Sequence, residues 1–340
     1  MKYVSLPSGK QLSRIGLGTW QFGSREWGYG PDYDDREAAA IVQRALDLGV
    51  TLFDTAEIYG MGRSERILGR ALRRADADPQ RVVLASKVFP VLPTAPVVEQ
   101  RAVGSASRLG VRHIDLYQVH QSNPVVSDPT TMRGMQALLD IGLVGHVGVS
   151  NYSLARWRAA DDALAQAHAT SEVGGPDVPV VISNQVQYSL VHRQPEADLL
   201  PFAQAQGRLV IAYSPLAQGL LSGRYGPDDQ VTGIRAANSH FLPENLAASA
   251  PLLDTLRDVA ASHQVSPAQV ALAWTLRHPS VVAIPGASSV GQVESNVAAA
   301  DLELSPDELG ALTQASDRYQ PVLGLAALPN HLRRMRARRH

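Results

Sequence analysis

A carboxylate, a phenol, an ammonium and an imidazole stand at comparable points of this chain, each at or just beyond a short apolar run. Asp54 follows Leu52-Phe53, Tyr59 comes five residues later, Lys87 closes the run from Val82, and His120 closes the run from Ile114. Singly, each has an ordinary reading: Asp54 as a turn former, Tyr59 as a loop aromatic, Lys87 as a base with its stem along the surface, His120 as a satisfied core histidine. Together they suit delivery of a proton to a developing alkoxide. A phenol, with a reference pKa of about 10, matches such an oxygen if that value is brought toward working pH. A buried ammonium lowers it, a carboxylate keeps the ammonium charged despite desolvation, and an imidazole hydrogen-bonds the substrate oxygen. The expectation is reduction of a carbonyl with Tyr59 as general acid, its pKa lowered by Lys87. Lysine stands only at Lys2, Lys10 and Lys87 among 31 lysines and arginines. Arginine has taken nearly every other basic position, so the one interior lysine reads as a chemical requirement.

Positioning these groups requires a scaffold. Short runs rich in Val, Ile and Leu alternate with stretches of helical period, giving candidate strands at Ile15–Gly18, Thr51–Asp54, Val82–Lys87, Ile114–His120, His146–Ser150, Val180–Gln185, Leu209–Tyr213 and Val281–Pro285. Strands apolar on both faces, each followed by a helix such as Arg36–Leu48, indicate a closed parallel sheet. The predicted fold is α/β, a (β/α)8 TIM barrel preceded by a β-hairpin turning at Pro7-Ser8-Gly9. A doubly wound sheet would carry G-x-G-x-x-G after its first strand, but Gly16-Leu17-Gly18 lacks the third glycine. Barrel sites lie at the C-terminal strand ends, where this sequence places Asp54, Lys87, His120, Ser150 with Asn151, Gln185, and Tyr213 with Ser214. Leu216–Ala250 is too long for a compact connection and reads as a cofactor-covering loop. Residues 1–340 are expected to form a single barrel domain, with a core of about 12–312 and a basic C-terminal tail at 333–340 containing five arginines between Arg333 and Arg339.

Composition narrows the function class. Hydrophobic residues make up 45%, charged residues 19%, and the formal net charge is -1, so neither nucleic acid nor membrane is an expected partner. Without cysteine, disulfides and thiolate chemistry are excluded. No H-E-x-x-H pattern suggests a metal, and no apolar leader is visible, which makes a cytoplasmic location the expectation. The expected partner is a small-molecule carbonyl substrate, and the oligomeric state is left open.

The stretch Asp54-Thr-Ala-Glu-Ile-Tyr59-Gly60, followed by Gly62-Arg63-Ser64-Glu65, resembles the signature of the aldo-keto reductase superfamily. The resemblance runs from about Leu12 to Leu312. It includes Ile15-Gly-Leu-Gly-Thr-Trp20, Ser86-Lys87, Asp115–His120, Gly148–Asn151, Asn184–Gln187, Tyr213–Leu221 and Ile284–Ser288, and is similar to the bacterial members grouped with potassium-channel β subunits. It implies Asp54, Tyr59, Lys87 and His120 as the catalytic four and a nicotinamide cofactor bound without a Rossmann unit. In that arrangement Gly18, Thr19 and Trp20 lie beside the cofactor together with Asp54. Ser150, Asn151 and Gln185 meet its carboxamide, and Tyr213 stacks on the ring. Ser214, Pro215, Leu216, Gln218, Gly219, Leu220 and Leu221, with Arg224, wrap the pyrophosphate, while Gly286, Ser288, Gln292 and Asn296 open the helix after the last strand. Amide side chains that donate and accept, an aromatic face and helix N–H groups suit these tasks.

Two departures bear on the cofactor. Gly223-Arg224-Tyr225 replaces a common Gly-Lys-Tyr, and Ser295-Asn296 a common Glu-Asn, with Glu294 one position early. Gln292 is neutral where relatives preferring NADP often place a base, so Arg235 is the expected partner of a 2′-phosphate and NADPH the expected cofactor, with NADH as the alternative. Trp20, Tyr59, Phe89, His120 and Gln121 are expected to bind substrate, with Trp27 and Tyr29 at the mouth, suggesting an aromatic or apolar group beside the carbonyl. Other readings are oxidation of a sugar or other alcohol at the same site, and a cofactor-sensing regulatory subunit with little turnover.

Overall fold

The computed structural model describes residues 1–30, 33–173, 175–328 and 330. The arginine tail expected at 333–340 lies outside the described residues. The strands are β1 (Tyr3–Ser5), β2 (Gln11–Ser13), β3 (Leu17–Gly18), β4 (Leu52–Asp54), β5 (Val83–Val88), β6 (Ile114–Val119), β7 (Val144–Ser150), β8 (Val181–Gln187), β9 (Leu209–Tyr213) and β10 (Val281–Ala283). The α-helices are α1 (Asp35–Asp47), α2 (Arg63–Arg74), α3 (Ala95–Leu109), α4 (Asp128–Asp140), α5 (Leu154–Ala169), α6 (Leu199–Ala205), α7 (Pro243–Ser262), α8 (Pro267–Thr275), α9 (Val290–Ala298) and α10 (Pro306–Arg318).

Strands β3 to β10 form one parallel sheet in chain order. Its two edges meet through parallel bridges, Ile15 to Ala283 and Gly18 to Gly286. The Gly16 N–H donates to the Ala283 carbonyl at 2.8 Å and that of Gly18 to the Pro285 carbonyl at 3.2 Å. This closure makes the sheet a barrel with helices packed outside, as the alternation of apolar runs and helical stretches predicts. The closing approach explains one glycine: a Cβ on Gly18 would lie 2.7 Å from the Ile284 carbonyl oxygen. Antiparallel β1 and β2 form the expected hairpin, and its Leu6 and Leu12 join the apolar cluster inside the barrel.

The period of two along each strand sets both the floor and the site. Leu52, Val83, Ala85, Leu116, Leu209 and Ile211 fill the barrel interior. Two residues further along, on the same face, come Asp54, Lys87, Gln118 and Tyr213. The polar layer therefore continues the apolar layers and sits at the C-terminal end of the sheet. Outside, a second and larger cluster joins the outward faces of the strands to residues such as Ile41, Leu68, Val98 and Trp157 of the surrounding helices.

The elements differ from the sequence reading mainly at their ends. Strand β5 runs to Val88 rather than Lys87, and β8 to Gln187 rather than Gln185, because ladder pairing continues past the last recognisable apolar alternation. The long connection is shorter than expected. Short 3₁₀ turns occupy Ala217–Ser222, Gly233–Ala237 and Ser239–Phe241, and α7 begins at Pro243, before the expected limit at Ala250. Pro243 occupies the first turn, where its missing N–H costs no helical bond.

Candidate active site

Lys87 is fully buried and has three acceptors for its three protons. Its Nζ donates to Asp54 Oδ1 at 2.6 Å, to the Thr55 carbonyl at 2.8 Å and to the Tyr59 hydroxyl at 3.4 Å. Asp54 is satisfied on its other oxygen by the amide nitrogens of Gln185 at 2.8 Å and Gln118 at 3.4 Å. His120 packs its ring edge-to-face against Tyr59 at 5.7 Å and Phe89 at 5.9 Å, and its Nδ1 is buried without a hydrogen-bond partner.

The charge states follow from burial and neighbours. Burial disfavours the Lys87 ammonium, but Asp54 and Tyr59 outweigh it, and the balance holds Lys87 above the ordinary lysine value and charged. Burial, followed by the Lys87 charge, pushes His120 down to about 3, so its imidazole is neutral. For Tyr59 the sequence expectation needs correction. Burial raises the phenol, Lys87 pulls it back, Asp54 pushes it up again, and the result lies above the ordinary value rather than below it. Proximity to the ammonium was legible in sequence order, whereas the desolvation that outweighs it comes from the closed barrel.

A cavity of about 620 Å³ opens over this cluster. Its walls include Gly18, Thr19, Trp20, Asp54, Tyr59, Phe89, His120, Gln121, Ser150, Asn151, Gln185, Tyr213, Ser214, Pro215, Leu216, Gln218, Gly219, Arg224, Arg235, Gly286, Ser288, Gln292 and Asn296. Three residues named from sequence lie elsewhere. The side chains of Leu220 and Leu221 are fully buried in the core, because the 3₁₀ turn directs them inward. Tyr29 bonds Asp35 and packs edge-to-face on Tyr33, and it is not part of the cavity wall, although Trp27 is. Sequence reasoning missed Gln118, and also Gln21, Ser222, Tyr225, Ala268 and Ser295 of the wall. Gln118 had a signal: it sits one residue pair above Leu116 and in register with Lys87.

The cavity has the donors and shape for an elongated ligand with an amide, a planar ring and anionic groups. Ser150 and Asn151 share a hydrogen bond at 3.1 Å, and Asn151 accepts from the Tyr213 hydroxyl at 3.0 Å. Beyond them the backbone turns sharply, with φ of 49° at Ser214, 48° at Ala217 and 57° at Gln218. Left-handed conformations at non-glycine residues cost on the order of 1 kcal/mol each and persist where surrounding structure enforces them. Arg224 and Arg235 lie at this end. Arg235 Nε donates to the Gln218 carbonyl at 2.7 Å, and its guanidinium lies 5.1 Å from the Trp27 ring centre and 5.8 Å from that of Tyr225. At the other wall Ser288 bonds the Gln292 side chain, and Asn296 donates to the Gly286 carbonyl at 3.4 Å. Glu294 pairs with Arg44 at 2.8 Å, outside the cavity. These features fit a nicotinamide dinucleotide.

The model of the aldo/keto reductase family matches residues 14–317. The chain belongs to the aldo/keto reductase family. It is 57% identical over 322 residues to an uncharacterised oxidoreductase of Mycobacterium tuberculosis, covering 95% of both chains. It is 32% identical over 328 residues to methylglyoxal reductase of Escherichia coli, covering 96% of this chain and 98% of that one. The fold matches an aldo-keto reductase of Klebsiella pneumoniae in complex with NADPH, with a TM-score of 0.72 and 30% identity, covering 94% of this chain and 95% of the other. Aldo/keto reductase membership accounts for the barrel and its hairpin. Among the described residues, no helix is long and apolar enough to cross a membrane.

Proposed function

We propose that this protein is an NADPH-dependent carbonyl reductase in which Tyr59 gives its proton to the carbonyl oxygen of an aldehyde or ketone. The observation that carries this reading is the buried relay Asp54–Lys87–Tyr59, with bonds of 2.6 and 3.4 Å about a charged ammonium. A bound reduced nicotinamide supplies the hydride. The carbonyl oxygen is received between the Tyr59 hydroxyl and the neutral His120 ring, which orients it without competing as a proton donor. As negative charge develops on that oxygen, the Tyr59 proton moves to it, and Lys87 stabilises the phenolate left behind. Asp54 keeps Lys87 charged and fixed in place. Ser150, Asn151 and Gln185 would hold the carboxamide, Tyr213 the ring, and Ser214–Gly219 with Arg224 the pyrophosphate. Arg235 would take a 2′-phosphate, which supports NADPH over NADH.

The raised Tyr59 phenol keeps its proton at neutral pH, the form required of a general acid. Trp20, Trp27 and Phe89 on the wall support a carbonyl carrying an aromatic or apolar group. The test is NADPH consumption by purified protein, followed by absorbance against aromatic and aliphatic aldehydes and ketones. Turnover that Tyr59→Phe abolishes is the expected result. Absence of carbonyl-dependent turnover with tightly held cofactor would replace this reading with that of a cofactor sensor.

A further inference from the structure

Phe89 is held by a closed ring of bonds that the chemistry above leaves unused. Its N–H donates to Glu57 Oε1, Arg101 Nε donates to Glu57 Oε2 at 3.0 Å, and Arg101 Nη1 donates to the Phe89 carbonyl at 2.8 Å. Arg101 Nη2 also lies 2.9 Å from Glu57 Oε1. One ion pair thus occupies both backbone polar groups of one residue. Glu57 is nearly buried and sits midway along the Asp54–Tyr59 turn, and its own N–H donates to the Lys87 carbonyl at 3.3 Å. A second pair stands behind it: Arg108 Nε bonds the fully buried Glu65, which accepts from Ser86 at 2.7 Å, and Arg108 lies 4.0 Å from Glu57. Two buried carboxylates are expensive to keep ionised, and such an arrangement is weak as a pure source of stability. Its geometry is specific, because it ties the segment after β5 to the catalytic turn and to α3.

We infer that Glu57 and Arg101 form a clamp that positions the Phe89 ring against His120 as the wall recognising a ring-bearing carbonyl substrate, which makes them specificity-determining positioning residues. The inference rests on the carbonyl-reductase reading for the substrate class. The clamp itself acts on binding. Phe89 meets His120 edge-to-face at 5.9 Å and lines the cavity, so any shift of its backbone moves the face an aromatic substrate would pack on. A small aliphatic aldehyde, reaching only Tyr59 and His120, has no such dependence. Arg101 is suited to the task because three nitrogens of its planar fork reach both Glu57 oxygens and the Phe89 carbonyl in one fixed geometry, which the single nitrogen of a lysine does not reproduce.

The test is titration of 4-nitrobenzaldehyde and propanal into the protein saturated with NADP⁺, a non-reacting combination, so binding is read even if the wild type turns over neither aldehyde. Failure of turnover would then count against the proposed function alone. Arg101→Lys keeps the charge beside Glu57, and Glu57→Gln is the second variant should the first fail to fold. Either is expected to weaken 4-nitrobenzaldehyde about tenfold, the order of one aromatic contact, and propanal by less than about twofold. In a Phe89→Ala background the same changes should add nothing, since they act through the ring already removed. Equal weakening of both aldehydes, no weakening of either, or full additivity with Phe89→Ala would each overturn the inference.

Discussion

Replacing Lys87 with arginine keeps the charge and changes the geometry, in a chain that uses arginine at nearly every other basic position. If Lys87 were only a cation, the change would be nearly silent. The structure argues otherwise. The ammonium fills a fully buried site with acceptors at 2.6, 2.8 and 3.4 Å in three directions. A planar guanidinium prefers a bidentate carboxylate, but the second oxygen of Asp54 is already held by Gln185 at 2.8 Å. To fit, the wider group must displace that amide or push the Tyr59 oxygen away by on the order of 1 Å, a misplacement that costs roughly 100-fold in rate. At about 1.36 kcal/mol per factor of ten, that is about 2.7 kcal/mol of lost transition-state stabilisation. Overpacking adds about 1–3 kcal/mol of destabilisation, enough to lower Tm while leaving the protein folded. The assay is kcat from NADPH absorbance on purified Lys87→Arg, with circular dichroism and NADPH affinity as controls. A folded, cofactor-binding variant with more than about half of wild-type kcat would refute the reasoning, since a positioned group should not tolerate the wider fork.

Other consequences can be checked alongside. Tyr59→Phe should keep fold and cofactor affinity while lowering turnover by about two to four orders of magnitude, measured by steady-state kinetics. Arg235→Ala should raise Kd for NADPH more than for NADH in fluorescence titrations, and equal weakening would assign Arg235 to the pyrophosphate or to the stack with Trp27 and Tyr225. Gly69→Ala, which would gain about 1 kcal/mol in an open helix, should instead lower Tm, because its Cβ would lie 2.1 Å from the Leu109 carbonyl oxygen where α2 crosses α3. Stability should fall as pH drops from about 6.5 toward 4, because His120 at about 3 and His240 at about 4 bind protons in the unfolded chain before they do in the folded one. Thermal melts across that range check it. The reduction rate should show no step from His120 near neutrality and should decline only above the ordinary phenol value of about 10, because Tyr59 is raised.

Much of the barrel was legible because it rests on local pattern. Eight apolar runs separated by amphipathic stretches specify a strand-helix alternation, and the polar residues that end six of them mark one rim. That reasoning located Asp54, Lys87, His120, Asn151 and Gln185 and gave Lys87 weight through the scarcity of lysine. It failed where direction matters more than position. Leu220 and Leu221 belong to the right segment, but the turn sends their side chains into the core. Tyr29 lies in the right loop and is drawn to Asp35. Gln118 was overlooked because a glutamine inside an apolar strand reads as an interruption until its parity with Leu116 is followed.

The sequence by itself determined which groups stand at the strand ends, since a period of two and a fixed order of runs are properties of the chain. Tertiary closure decided what those groups are as acids and bases. Asp54 and Tyr59, Lys87, and His120 come from three segments, and only the joining of β3 to β10 encloses them. Enclosure removes water, and desolvation then holds Tyr59 up against the pull of Lys87 and His120 down to a neutral ring. Order along a chain carries no solvent exposure, so the sign of the Tyr59 shift could be read only once the barrel had closed around it.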